Sequence, residues 1–368
     1  MKIGYEAKRI YHNASGLGNF GRNLIRSLAQ EAPQHHYYLY NYKPGRINFE
    51  AGASVQEKRP KSANGLLANI WRQRLVSGRA QKDGVEIFHG LAQELPYGLA
   101  KKKIKAIVTV HDLIFLRYPN LYKKIDRNIY LKKLKHACKV ADLVVAVSRQ
   151  TRQDLIDYLQ VPAEKIVVIY QGCDPLYWEQ HQNNIVPLLE KYQLPERFAL
   201  FVGTLEPRKN PTLVAEACAE LEIPLVLVGK PTAYWQKFTK ASTTHQQSFW
   251  QHLRVESTRD LATLYTMADL FVYPSIFEGF GIPVLEALAT ETPVITSHTS
   301  ALPEVAGPGA QLIDVNSKSE LKKALAFFWQ DEQARESAIN QGNSFVKQFQ
   351  DTVIAKQWLD TYEKVLAK

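Results

Sequence analysis

Short apolar runs that alternate with helical patterns constrain this chain more than any other feature. In the first half they are MKIGYE (1–6), YYLYNY (37–42), VEIFHG (85–90), IKAIVTV (104–110), LVVAVS (143–148) and KIVVIY (165–170). In the second half they are FALFVG (198–203), PLVLVG (224–229), LFVYPS (270–275) and PVITS (293–297). Consecutive positions are apolar, as in strands buried on both faces of a parallel sheet. Helical patterns such as GRNLIRSLAQEA (21–32) and RQTRQDLIDYLQ (149–160) lie between some of them. The order restarts after a polar stretch, EQHQNNIVPLLEKYQLPERF (179–198). Two βα series predict two doubly wound α/β domains facing across a cleft, over residues 1–182 and 195–345. The 368-residue length fits two domains. The tail reads as helical from about Asp331, with Phe345, Phe349, Trp358 and Tyr362 as apolar anchors, and residues 346–368 form its last segment.

No apolar run reaches the ~18 residues that a membrane-spanning helix needs. The opening MKIGYEAKRIYHN carries no apolar signal-peptide core and reads as a first strand, so a cytoplasmic location is expected. Cys138, Cys173 and Cys218 are far apart and form no CxxC pair, in keeping with a reducing compartment. Charge is unevenly spread. Residues 1–180 hold 29 Lys or Arg against 15 Asp or Glu, a balance of +14, whereas residues 181–368 hold 17 against 21, a balance of −4. Such a basic half attracts nucleic acid, anionic lipid or a phosphorylated substrate, or is simply a solvated face. No nucleic-acid module signature is present, so nucleic acid is not an expected partner.

Four loops stand where a doubly wound sheet binds ligands, after its strands. SGLGNFGRNL places Gly16, Gly18 and Gly21 in a GxGxxG pattern before a helix, a turn or a backbone approach to phosphate. The acid that a dinucleotide enzyme shows about 20 residues on is missing, which disfavours NAD. VTVHDLIF places His111 and Asp112 after a strand, either for proton or hydrogen-bond chemistry or as a cap. LFVGTLEPRKNP places Arg208 and Lys209 at the start of the next helix, where two cations suit a bound anion. PSIFEGFGIPVLEALATETPVITS places Glu278 in a loop, Pro283 near a helix start and Glu286 in its first turn. Carboxylates accept hydrogen bonds, so vicinal hydroxyls are natural partners, although an acid near a helix N-terminus is also good helix chemistry. HExxH, Cys/His clusters and a DxD triplet are absent from the sequence, so no metal is expected and cations would neutralise a leaving diphosphate.

Together SGLGNFGRNL, VTVHD, VGTLEPRKN and EGFGIPVLE resemble the GT-B retaining glycosyltransferases of family 4, in order and over nearly the whole chain. The most specific element is the Glu-x7-Glu pair, Glu278 and Glu286, followed by PVITS…LPEVAG. The resemblance implies a nucleotide sugar in the C-terminal domain, an acceptor mainly in the N-terminal domain, and a last helix that crosses back. By position, Arg208 and Lys209 match the pair that grips the donor diphosphate, and Glu278 the acid near the transferred sugar. Phe280, Gly281 and Ile282 match the adjoining loop, Glu286 the ribose acid, and His111 the cleft residue near that sugar. Gly16 and Gly18 match the loop that approaches the phosphate. HLRVEST (252–258) departs from the glycine and aromatic common there, leaving Val255 as a neighbour of the base.

The implied reaction is transfer with retention. The diphosphate leaves while Arg208 and Lys209 absorb its charge, and the acceptor hydroxyl attacks from the same face. The opening stretch is most like bacterial mannosyltransferases of polysaccharide assembly, which makes GDP-mannose the first candidate donor, with UDP-glucose, UDP-galactose and UDP-N-acetylglucosamine left open. It also implies a glycan or lipid-linked acceptor, with peripheral contact to an anionic membrane through Lys101, Lys102, Lys103, Lys105, Lys123, Lys124, Lys132 and Lys133. Sugar-nucleotide 2-epimerases share the architecture and are the rival class, and a basic surface-binding protein is a further alternative.

Overall fold

The computed structural model describes residues 1–60, 66–179, 181 and 184–368. The chain divides into two compact units, Met1–Gly172 with Phe349–Lys368, and Cys173–Gln348.

Unit 1 is built on seven parallel strands: β1 (Lys2–Glu6), β2 (His36–Tyr40), β3 (Val55–Lys58), β4 (Ile87–Gly90), β5 (Lys105–Val110), β6 (Leu143–Ala146) and β7 (Ile166–Val168). Their order is β3-β2-β1-β4-β5-β6-β7, with Gly4 opposite both Tyr38 and Phe88. Alternate residues go to opposite faces of a pleated strand. Ile87 and Ile107 therefore join one core with Leu24, Leu28 and Trp358, while Phe88 and Val108 join another with Leu134 and Leu155. Helices cover both faces, which is why the strand sequences are apolar on consecutive positions. The helix Asp351–Leu366 belongs to this unit and seats Trp358 and Tyr362 in the same core as the helix Gly16–Glu31. The edge strand β3, sequence VQEK, carries no apolar run and is invisible to hydropathy.

Unit 2 holds six parallel strands: β8 (Ala199–Val202), β9 (Leu225–Val228), β10 (Trp250–Leu253), β11 (Leu270–Tyr273), β12 (Val294–Ser297) and β13 (Gln311–Ile313). The order is β10-β9-β8-β11-β12-β13. The four apolar runs read from the sequence are the four central strands, and the two edges were not anticipated. In each sheet the chain winds outward from one strand and then returns to its other side. The reversal falls between β1 and β4 in unit 1 and between β8 and β11 in unit 2. These are the positions where crevices open at the carboxyl ends of strands.

The division at Gly172–Cys173 precedes the polar stretch read as a linker, and the expected domain end at residue 182 lies outside the described residues. Much of that stretch is ordered structure. Ile185–Tyr192 is a helix with Leu188 buried, and Lys191 bridges Glu256 and Asp260 at 2.8 Å each. Its polar residues form a solvated helix face.

Candidate functional site

Two loops meet at the reversal of unit 2. After β8 the chain makes a single 3₁₀ turn, Pro207–Lys209, and the next helix starts at Pro211. Arg208 and Lys209, expected at the start of the next helix, therefore stand just ahead of it. The αL residue Asn210 separates them from it, and its side chain is tied to the Val315 carbonyl at 2.8 Å. After β11 comes the loop 274–281. Arg208 reaches across to it: Nη1 donates to Glu278 Oε1 at 2.8 Å and to the Phe277 carbonyl at 2.5 Å, while Nη2 donates to Glu206 at 2.7 Å. Lys209 Nζ lies 3.5 Å from the same Glu278 oxygen, donates to the Tyr273 hydroxyl and sits over the Tyr273 ring. Both cations are thus neutralised from within, by Glu206 and Glu278.

Glu278 is the centre of this knot. Its Oε1 also accepts from Tyr273 at 2.8 Å and Ser275 at 2.9 Å, and its backbone N–H donates to Ser300 at 3.0 Å. Burial alone would raise its pKa, but Lys209 and Arg208, with the two hydroxyl donors, outweigh it and hold the carboxyl at about 2. All these side-chain bonds converge on Oε1. Oε2 has no partner among the described residues and is not sealed from solvent. Tyr273 is kept protonated, because burial and then the Glu278 charge push its phenol up.

Glu286 lies at the start of the second turn of the helix Ile282–Ala289, one residue further in than expected, because the helix begins at Ile282. Gly281 caps it at φ 121°, a backbone angle that favours glycine. Phe280 is buried under the loop, and Ile282 is half-buried. The Glu286 carboxylate accepts from Tyr265 at 3.1 Å, and the Tyr177 phenol, packed edge-on against Tyr265, lies on the same side of it. Burial is the largest influence and raises its pKa to about 7, against the lowering pull of the two phenols and Lys209. Val255 follows β10, half-buried, two strands from β8 and so roughly 10 Å across the sheet.

Unit 1 holds the remaining expected residues. His111 follows β5 and is buried edge-on against Phe20, at 4.8 Å between ring centres. Its Nε2 bonds the Leu91 carbonyl at 2.8 Å, so Nε2 carries the proton and Nδ1 is left as an acceptor. Burial lowers its pKa to about 4, so the ring is neutral. Gly16, Gly18 and Gly21 lie inside the first turns of the helix Gly16–Glu31 and not ahead of it. A Cβ on Gly18 would come within 1.8 Å of the Asn13 carbonyl oxygen, whereas one on Gly16 would meet nothing within 4 Å. The lack of a side chain at Gly18 thus serves a backbone crossing, while Gly16 borders open space.

Several polar groups escaped the sequence reading. At the reversal of unit 1, Arg72 bridges Glu6 at 3.3 Å and Glu94 at 2.6 Å, and Lys133 reaches Glu94 at 2.9 Å. Glu6 ends β1 and Glu94 follows β4. Arg72 sits in a π-helical turn, Trp71–Leu75, a feature common at functional sites. In unit 2 the missed groups are Tyr273, Ser275, Tyr265, Tyr177 and Glu206. Tyr273 had a usable signal: a polar-tipped aromatic at the last position of a buried strand. Among the described residues, no cluster of three or more His, Cys, Asp or Glu is arranged to hold a metal ion.

The chain matches two family models, Glycosyltransferase Family 4 over residues 14–175 and Glycosyl transferases group 1 over residues 190–345. It is 29% identical over 390 residues to O-antigen chain mannosyltransferase B of Escherichia coli, covering 99% of this chain and 100% of that one. Among solved structures, sucrose-phosphate synthase from Thermosynechococcus elongatus superposes with a TM-score of 0.79 at 20% identity, over 100% of this chain and 99% of that one. HepE from Anabaena, solved in complex with UDP, gives 0.74 at 18% identity, over 99% and 100%. With two parallel-sheet units of the expected kind, and with one model matching each half of the sequence, the chain belongs to the GT-B glycosyltransferases, family 4 in its first half and group 1 in its second.

Proposed function

We propose that the protein transfers mannose, with retention of anomeric configuration, from a nucleotide diphosphate sugar to a glycan or lipid-linked acceptor of cell-surface polysaccharide. The observation that carries this reading is the knot at the β8–β11 reversal. There Glu278 gathers Arg208, Lys209, Tyr273 and Ser275 on one oxygen and leaves the other open. An ionised carboxylate with a free oxygen accepts a sugar hydroxyl. Arg208 and Lys209 stand beside it for the diphosphate, which would displace Glu206, the more exposed of the two carboxylates, from Arg208. Glu286 takes the ribose diol. As the glycosidic bond to phosphate breaks, the cations meet the growing negative charge, and a phosphate oxygen accepts the proton of the attacking hydroxyl. Neutral His111, with Nδ1 as acceptor, orients a hydroxyl of the sugar or acceptor and does not attack. The O-antigen mannosyltransferase relative supports mannose and hence GDP-mannose, and the UDP-bound neighbour supports a nucleotide as ligand. The acceptor is assigned to unit 1 in this scheme, whose charged groups at the sheet reversal are Glu6, Arg72 and Glu94.

Peripheral membrane contact is the second part of the proposal. In the helix Lys124–Val140, Ile125 is 74% and Ile129 46% exposed, one turn apart, beside Lys123, Lys124 and Lys132. Apolar residues flanked by lysines suit an anionic bilayer surface. Lys133 leaves the expected set, because Glu94 holds it at 2.9 Å, whereas Lys105 is only 3.9 Å from an exposed Asp142. Lys101, Lys102 and Lys103 precede β5 while Lys123 and Lys124 follow it, so the two groups flank opposite ends of the strand.

The test is product analysis by NMR with GDP-mannose and a mannose-terminated oligosaccharide. An α-linked product from the α-linked donor supports the reading, and a β-linked product overturns retention. Nucleotide-linked epimer without transfer supports the epimerase class instead.

A further inference from the structure

The chain enters unit 2 at Cys173. The Asp174 side chain accepts the Leu176 N–H at 3.1 Å, and His181 Nε2 bonds the Leu176 carbonyl at 2.7 Å. These bonds fix the turn Pro175–Trp178, which delivers Tyr177. Tyr177 is 2% exposed and packs edge-on against Tyr265, with ring centres 5.8 Å apart. Tyr265 comes from a different element, the helix Thr258–Met267. Both phenols are directed at the one carboxylate of Glu286. Burial and then the Glu286 charge push both phenols well above their ordinary range, so they remain donors. A carboxylate offers about four lone-pair sites. The Tyr265 phenol occupies one of them and the Tyr177 phenol stands beside it, so lone pairs remain for a ligand.

We propose that Tyr177 and Tyr265 are positioning residues that clamp the Glu286 carboxylate so that its remaining lone pairs meet a vicinal diol, with Tyr177 tying this clamp to the segment by which the chain enters unit 2. The proposal rests on the reading of Glu286 as the ribose acid. Among the described residues, the groups that act on this carboxylate are Tyr265 from its helix, Tyr177 and Asp174 from the entering segment, and Lys209 from the turn after β8. Asp174 disfavours the charged form, whereas the two phenols and Lys209 favour it. Loss of either phenol removes a donor to the ionised acid, so the acid must titrate at higher pH.

Isothermal titration with GDP, and with UDP in parallel, from pH 5.5 to 9 tests this on wild type, Tyr177→Phe, Tyr265→Phe and Glu286→Gln. Wild-type affinity for the better nucleotide is expected to fall about tenfold as pH drops through about 7. In Glu286→Gln binding is weaker and the limb is gone. In each Tyr→Phe variant the limb moves upward while affinity at pH 9 stays near that of wild type. Phenylalanine keeps the ring packing, and melting temperatures monitor the fold. An unmoved limb in both Tyr→Phe variants, or affinity lost equally at every pH, overturns the clamp while the ribose reading stands. Wild-type binding by Glu286→Gln overturns the ribose reading itself.

Discussion

Glu278→Ala is expected to separate the structural and chemical work of one side chain. Glu278 meets Arg208 at 2.8 Å and Lys209 at 3.5 Å, with all three side chains about one-seventh exposed. Its carboxyl is held at about 2, against an ordinary 4.5. That difference corresponds to about 3 kcal/mol of stability at neutral pH. The folded value is depressed, so the contribution is fully present above pH 4.5 and is lost as pH falls through 2. Truncating one partner of a well-buried pair costs about 3–5 kcal/mol. Arg208 keeps Glu206, so about 3 kcal/mol is the better figure here. Urea unfolding of unit 2, followed by its tryptophans, is expected to show this loss at pH 7 and less than half of it at pH 3. Glu278→Gln keeps the shape and one acceptor oxygen and is expected to lose less stability. Turnover of the nucleotide sugar is expected to fall by on the order of 10²–10³ in Glu278→Ala, with little change in KM. A variant that loses the stability but keeps wild-type kcat would refute the placement of Oε2 against the transferred sugar. A cost independent of pH would refute the electrostatic account.

Gly18→Ala is expected to disrupt folding of unit 1, because its Cβ has no room beside Asn13, while Gly16→Ala folds normally and changes only donor kinetics; circular dichroism and KM separate the two. Activity is expected to survive EDTA, since Arg208 and Lys209 are assigned the diphosphate charge; a loss restored by Mn²⁺ would contradict that assignment. Sedimentation with liposomes is expected to rise with anionic lipid, fall with salt, and drop in Ile125→Ser/Ile129→Ser and in Lys123→Gln/Lys124→Gln; three such lysines are worth about 1 kcal/mol each near the surface. Equal binding to neutral vesicles would remove the electrostatic part of that surface.

The central strands were legible because burial on both sheet faces forces consecutive apolar residues, as in IKAIVTV and LFVYPS. Of the four edge strands, β7 was legible as KIVVIY, whereas β3, β10 and β13 were not, because an edge strand is less enclosed and needs no such run. The site residues Arg208, Lys209, Glu278 and Glu286 could be named from loop positions, but their state could not. That Arg208 is held by Glu206 and Glu278 depends on two loops 70 residues apart in sequence meeting at the reversal of the sheet. The phenols around Glu286 are harder still to foresee. Tyr177 and Tyr265 look like ordinary apolar anchors until the fold turns their hydroxyls toward one acid. The glycine motif hides a packing demand: at Gly18 the missing side chain makes room for the neighbouring backbone at Asn13, whereas Gly16 borders open space.

The central claim is that the knot around Arg208 in unit 2 activates a nucleotide sugar. Its most direct test is the rate at which GDP is released from GDP-mannose in the presence of a mannose-terminated acceptor, for wild type and Arg208→Ala side by side. The account predicts acceptor-dependent GDP release by wild type, reduced by on the order of 10²–10³ in Arg208→Ala, with GDP affinity also weakened. Release at the same rate by both proteins would contradict it.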